Sequence, residues 1–213
     1  MQTTPIINGA DEAHFSVYQR RREAIIMATP RTVAVVVGSL RKDSVSRKLA
    51  RAIEALTPEL KFVEVEIGAL PLFDQDLEAT PPAEWVTLRD QIRSADAVLF
   101  VTPEYNRSVP GVLKNAIDVG SRPYGSSAWN GKPGAVISNS PGAIGGFGAN
   151  HHLRQSLVFL NVPVLSQEAY IGNVFALFGE NGELINESTA EFLKAYGAAF
   201  KAWIDKILGD EAS

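Results

Sequence analysis

The sequence predicts a three-layer α/β fold, a five-stranded parallel sheet of order 2-1-3-4-5 wound in both directions with helices on its two faces. Three observations carry this. Short apolar runs of strand length alternate five times with stretches of helical period, the pattern of parallel strands joined by crossover helices. The second and fifth runs bear the marks of sheet edges, while residues 33–37 and 97–102 are apolar throughout, as strands covered on both faces are. Three unusual loops follow runs one, three and four, and in such a sheet those loops meet at the switch point between strands one and three.

The first run, Val33-Ala34-Val35-Val36-Val37, stops at Gly38, and from Ser44 a helix begins with Leu49, Ala52, Ile53 and Leu56 on one face. Residues 61–67 alternate Val63, Val65 and Ile67 against Glu64 and Glu66, which reads as a half-exposed edge strand. Residues 70–76 form a loop, and Pro81-Pro82 precedes a helix with Trp85, Leu88 and Ile92 on a shared face. Strand three spans 97–102, and Pro110 suits the first turn of the helix that follows. Strand four spans 134–138, and its helix presents Leu153, Leu157 and Leu160. A last strand is expected at 161–165, where Pro163 marks an edge. Residues 170–185 read as irregular. Ser188-Thr189-Ala190-Glu191 spells a capping box for a final helix with Leu193, Tyr196, Phe200, Ile204 and Ile207.

Ahead of all this, residues 1–30 read as an N-terminal extension to a domain over 31–213. They include a possible short helix at 11–27, the basic run Arg20-Arg21-Arg22, and Met27 as an alternative translation start. At 213 residues and 46% apolar, the chain can bury one substantial core. It contains no cysteine, which removes thiol nucleophiles, disulfides and cysteine-held metals. A net charge of −4 gives no global pull toward nucleic acid or anionic membrane, and no apolar run approaches the roughly 20 residues of a membrane span. The expectation is a cytoplasmic protein without nucleic-acid or membrane partners. His151 and His152 are adjacent and His14 is distant, so no metal site is expected.

The first loop, Ser39-Leu40-Arg41-Lys42-Asp43-Ser44, offers hydroxyls, two cations and the free N–H groups of a helix start, parts that suit a phosphate. It lacks the further glycines of a dinucleotide fingerprint and the Gly-Lys-Ser/Thr of a P-loop. It spells the Ser-x-x-Lys of penicillin-binding enzymes, but neither Ser-Asp-Asn nor Lys-Thr-Gly follows. The second loop, Pro103-Glu104-Tyr105-Asn106, places an aromatic and an amide at the end of a strand stiffened by prolines. The third, from Asn139 to Gly146, is rich in small residues that let a flat ligand approach the backbone. One ligand with a phosphate on the first loop and a flat ring across the other two would use all three, and FMN has that shape.

Residues 38–44, 70–76 and 103–118, together with Ser140-Pro141-Gly142 and Gly145-Gly146, resemble the NADPH-dependent FMN reductase family, in particular its chromate/quinone reductase branch. The resemblance implies a flavodoxin-like fold, bound FMN, NADPH or NADH as co-substrate and a homodimer or homotetramer. The implied reaction is two-electron ping-pong hydride transfer to quinones or similar acceptors such as chromate, azo compounds or free flavin. Carried over, it assigns Ser39, Leu40, Arg41, Lys42, Ser44, Val45 and Ser46 to the phosphate and ribityl chain. Pro103, Glu104, Tyr105 and Asn106 fall along the ring, and Asn139, Ser140 and Gly142 on its other side. No side chain is required as acid or base, because flavin N5 carries the chemistry; Tyr105 and Asn106 are the expected positioning residues. Asp43 stands where relatives often have glycine and should weaken phosphate binding unless it turns outward, and Ser46 replaces a common asparagine. A flavodoxin-type FMN electron carrier without nicotinamide turnover, or a flavin-free module for another phosphate ligand, remain the alternatives.

Overall fold

The computed structural model describes residues 30–209. The N-terminal extension, its expected helix and arginine run, His14 and Met27 lie outside the described residues, save for Pro30. Five strands, β1 Thr32–Val37, β2 Lys61–Val65, β3 Ala97–Pro103, β4 Gly134–Asn139 and β5 Ala169–Ile171, form one sheet of order β2-β1-β3-β4-β5. Every pairing is parallel. The helices between them are α1 Val45–Leu56, α2 Ala83–Ser94, α3 Gly111–Gly120 and α4 Phe147–Phe159, and α5 Glu187–Leu208 follows β5.

Strand alternation divides the apolar residues between two cores. Val33, Val35 and Val37 face α1 and α5, meeting Leu49, Ile53, Tyr196 and Phe200. Ala34 and Val36 face the opposite way, into a core built with Trp85 of α2, Leu113 of α3 and Leu153 of α4. The expected stripes face the cores, but Ala52, Leu56 and Leu160 are only half-buried, Val63 of the edge strand is 40% exposed, and Ile207 is 38% exposed at the end of α5.

Two expectations are corrected. The fifth strand is not residues 161–165. That segment makes one bridge, Val164 with Gly134, in which Gly134 N–H donates to the Pro163 carbonyl at 3.1 Å and Leu165 N–H to the Gly134 carbonyl at 2.8 Å. The chain then bows outward and returns at Ala169, where pairing to Ile137 resumes. Arg154 holds the bow by donating to the carbonyls of Leu165 at 2.8 Å and Gln167 at 2.9 Å. The break would strand the edge-facing N–H and carbonyl of Val136, since alternate residues of a strand point the same way. Tyr196 fills it: its hydroxyl donates to the Val136 carbonyl at 3.0 Å and accepts from the Val136 N–H at 3.2 Å. Both segments lie on the same side of β4, so the predicted order is unchanged. The second correction is the cap of α5. Asn186, not Ser188, opens the helix, its Oδ1 accepting from Thr189 N–H at 2.9 Å and the Thr189 hydroxyl at 2.8 Å. Asparagine matches serine as an N-cap, and starting two residues earlier adds helical hydrogen bonds.

Candidate functional site

The site is built where the carboxyl ends of β1, β3 and β4 meet. Gly38 ends β1 with its N–H on the Val101 carbonyl at 2.9 Å, and a Cβ there would lie 3.0 Å from Thr102 Oγ1. Glycine therefore lets β1 and β3 stay close as they open into the mouth. Beyond it, Ser39 is buried and its hydroxyl oxygen accepts from Arg41 N–H at 3.4 Å. Ser44 Oγ accepts from Arg47 N–H at 3.2 Å, capping α1. Leu40, Arg41 and Lys42 between them are exposed. Arg41 and Lys42 make no ion pair among the described residues, and the N–H groups of Leu40 and Lys42 have no acceptor there. Asp43 does turn outward, pairing with Lys48 Nζ at 2.6 Å. The hydrogen bond from Lys48, with its charge, holds the Asp43 carboxyl below the usual carboxylate range.

The second loop is a two-residue hairpin. Tyr105 and Ser108 exchange backbone hydrogen bonds at 2.9 Å, and Asn106 and Arg107 take φ values of 51° and 63°. That mirror-image turn suits asparagine and strains arginine. Tyr105 is left half exposed at the mouth. Glu104 faces inward instead, accepting from Arg107 at 3.2 Å and from Ala149 N–H, in the first turn of α4, at 3.1 Å. His152 Nδ1 lies 3.0 Å from Ser108 Oγ, whereas His151 Nε2 lies 3.0 Å from Tyr170 Oη, so the two histidines diverge. Among the described residues no group of three or more His, Asp or Glu could hold a metal ion.

The third loop folds back on β5. Gly145 and Gly146 have φ of 65° and 80°, and a Cβ on Gly145 would sit 2.6 Å from the Tyr170 carbonyl carbon. Ser138 Oγ donates to the Gly145 carbonyl at 2.9 Å, and Ser140 N–H to the Ile171 carbonyl at 3.0 Å. Gly142 is open, a Cβ there meeting nothing nearer than Ser140 Oγ at 3.9 Å.

Of the residues read from sequence, Ser39, Leu40, Arg41, Lys42, Ser44 and Val45 share the first loop and helix start, while Pro103, Glu104, Tyr105, Asn106, Ser140 and Gly142 stand on the other two. Ser46 and Asn139 are brought together but buried: Asn139 Nδ2 donates to Ser46 Oγ at 2.8 Å and to the Thr102 carbonyl at 3.0 Å. One amide thus ties all three loops beneath the mouth. Sequence reasoning missed Thr102, and also Asn115, whose Oδ1 accepts from Phe73 N–H at 2.8 Å while its Nδ2 donates to the Pro71 carbonyl at 3.0 Å. That pair anchors the loop after β2 on α3. The available signal was a lone amide inside an apolar helical stripe.

The NADPH-dependent FMN reductase family model matches residues 31–176. The chain belongs to that family. It is 62% identical over 176 residues to a quinone reductase of Pseudomonas putida strain KT2440, covering 81% of this chain and 94% of that protein. It is 45% identical over 174 residues to a 2-hydroxy-1,4-benzoquinone reductase of Burkholderia, covering 81% and 95%. Among solved structures, FerB, the flavoenzyme NAD(P)H:(acceptor) oxidoreductase of Paracoccus denitrificans, is similar with a TM-score of 0.78 at 46% identity, over 83% of this chain and 98% of that one. The donor set fits the cofactor in the family's name: an unpaired guanidinium, exposed amides and a helix start suit a phosphate, and a half-exposed tyrosine beside an open glycine leaves room for a flat ring.

Proposed function

We propose that this chain is an FMN-dependent NAD(P)H oxidoreductase that reduces quinones. The observation that carries this reading is the family match over a mouth whose first loop keeps the charges of Arg41 and Lys42 and the N–H groups of Leu40 and Lys42 uncommitted among the described residues. The exposed amides of the 39–44 turn, the α1 dipole and Arg41 hold the phosphate. Pro103, Tyr105 and Asn106 border the ring on one side, with Glu104 tying their loop to α4 behind them, and Ser140 and Gly142 border it on the other. Ser46 and Asn139 support these loops from below rather than from the surface. Asp43 turns to Lys48 at 2.6 Å, so its carboxylate makes no ion pair with Arg41.

When bound in this mouth, FMN would supply the redox chemistry, two-electron transfer between nicotinamide and acceptor. The protein's part is to fix the ring at an open mouth where donor and acceptor can occupy one place in turn. Tyr105 and Asn106 position the ring and whatever stacks on it. The same reading carries a homodimer or homotetramer and a cytoplasmic location; no helix among the described residues is long and apolar enough to cross a membrane.

The test is direct. The purified protein should carry FMN, oxidise NADPH or NADH only when a benzoquinone is present at comparable rate, and give parallel double-reciprocal lines. A protein without flavin sinks the reading. One that holds FMN but oxidises neither nicotinamide is the one-electron carrier instead.

A further inference from the structure

A second site flanks the first on the outer side of α1. Residues 178–184 form a hairpin there: Phe178 bridges Leu184, Gly179 N–H donates to the Glu183 carbonyl at 2.9 Å, and Gly182 N–H to the Gly179 carbonyl at 3.0 Å. Between hairpin and helix lies a cavity of about 220 Å³ whose wall includes Lys42, Ser44, Arg47, Lys48 and Arg51, with Glu180 opposite. Two of these cations are committed, Arg47 to Glu64 at 2.8 Å and Lys48 to Asp43. Lys42 and Arg51 make no ion pair among the described residues. A second cavity of about 320 Å³ adjoins it, walled by Ala52, Ala55, Leu56, Leu184 and Ala190 with Glu183 at its edge, and it shares Lys48, Arg51 and Gly182 with the first. The groove is therefore cationic at one end and apolar at the other, with Arg51 in both walls.

Inorganic phosphate would use one end and an apolar acceptor the other. A phosphorylated adenosine uses both, the base on the alanine and leucine surface and the phosphate on the guanidinium. Lys42 and Ser44 belong to this wall and to the turn that receives the FMN phosphate. A dinucleotide carries a second phosphate and an adenosine beyond the half that bears its nicotinamide, and the groove meets the mouth at Lys42 and Ser44. Resting on the NAD(P)H-dependent reading above, we infer that the groove takes the 2′-phosphoadenosine end of NADPH, with Arg51 as the partner of the 2′-phosphate, and that it selects NADPH over NADH.

The FMN-loaded Arg51→Ala protein tests this. Arg51 is exposed, so FMN content and the KM for NADH should match the parent, while the KM for NADPH rises about ten- to a hundredfold, the size of a lost charge-assisted contact. Calorimetric titration of the same holoproteins with adenosine 2′,5′-bisphosphate should weaken by a like factor, with adenosine 5′-monophosphate unaffected, and Arg51→Lys should recover part of the loss. Parallel changes in both KM values, or bisphosphate binding indifferent to Arg51, would overturn the assignment. A parent that holds no flavin or oxidises neither nicotinamide counts against the function itself, and the titration still decides the groove.

Discussion

The walls of the mouth are built on opposite plans. On one side, residues 39–44 keep the N–H groups of Leu40 and Lys42 and the guanidinium of Arg41 without partners among the described residues; the loop is held by its two serines, by Arg47 on the Arg41 carbonyl at 3.3 Å and by Lys48 on Asp43. On the other, residues 103–108 and 139–146 are bonded to themselves and their neighbours: hairpin closure at Tyr105 and Ser108, Glu104 on α4, and Ser138 and Ser140 pinned to Gly145 and β5. The difference separates two jobs. The self-bonded loops have their shape before any ligand arrives, which spares the ordering cost of binding a ring. The open loop keeps its polar groups free because the ligand completes them.

Substitutions should sort by wall. The largest effect is expected for a control outside both. Tyr196→Phe leaves the N–H and carbonyl of Val136 without partners and should cost about 2 to 4 kcal/mol in denaturant unfolding, with FMN affinity unchanged. It also carries a pH signature. Burial pushes the Tyr196 hydroxyl up to about 12, above the roughly 10 of an unfolded tyrosine. The stability tied to the neutral hydroxyl is thus complete below about pH 10 and lost as pH rises through about 12, and the phenylalanine variant should lack that share of alkaline loss. Next, Asn139→Ala and Arg41→Ala set wall against wall. Asn139→Ala should lower the stability of the flavin-free protein by about 2 to 3 kcal/mol, because two hydrogen bonds beneath the mouth go. Arg41→Ala should leave that stability alone and weaken FMN by about 1.5 to 3 kcal/mol, roughly ten- to a hundredfold by fluorescence titration. The reverse pattern would erase the distinction between the walls. Smallest is Asp43→Asn: its carboxylate is exposed and committed to Lys48, so neither stability nor FMN affinity should move measurably.

Strands one to four were legible because β-branched and apolar runs announce themselves, and the switch point followed from their order. The fifth was not, since a three-residue strand, Ala-Tyr-Ile, has too short a pattern to stand out, while the Pro163 segment looks more strand-like and contributes one bridge. In the site, position along the chain was enough to nominate the three loops. Depth was not. Asn139 and Ser46 read like surface donors, yet they face each other underneath, because no periodicity tells which way a loop side chain turns. Asp43 was undecided from sequence for the same reason: its direction depends on Lys48, one turn into α1. Asn115 passed unassigned because its partners are backbone groups of a distant loop.

Tyr196 has one more implication, for biosynthesis. The group that closes the break beside Val136, and much of the cover over Val33, Val35 and Leu99, resides in α5, which is made after all five strands of the sheet. Until residues 193–204 emerge, the nascent chain carries a sheet bare on much of one side, with an unpaired notch in its rim. Translation products arrested before that point should be bound by chaperones or degraded, however complete the flavin loops already are.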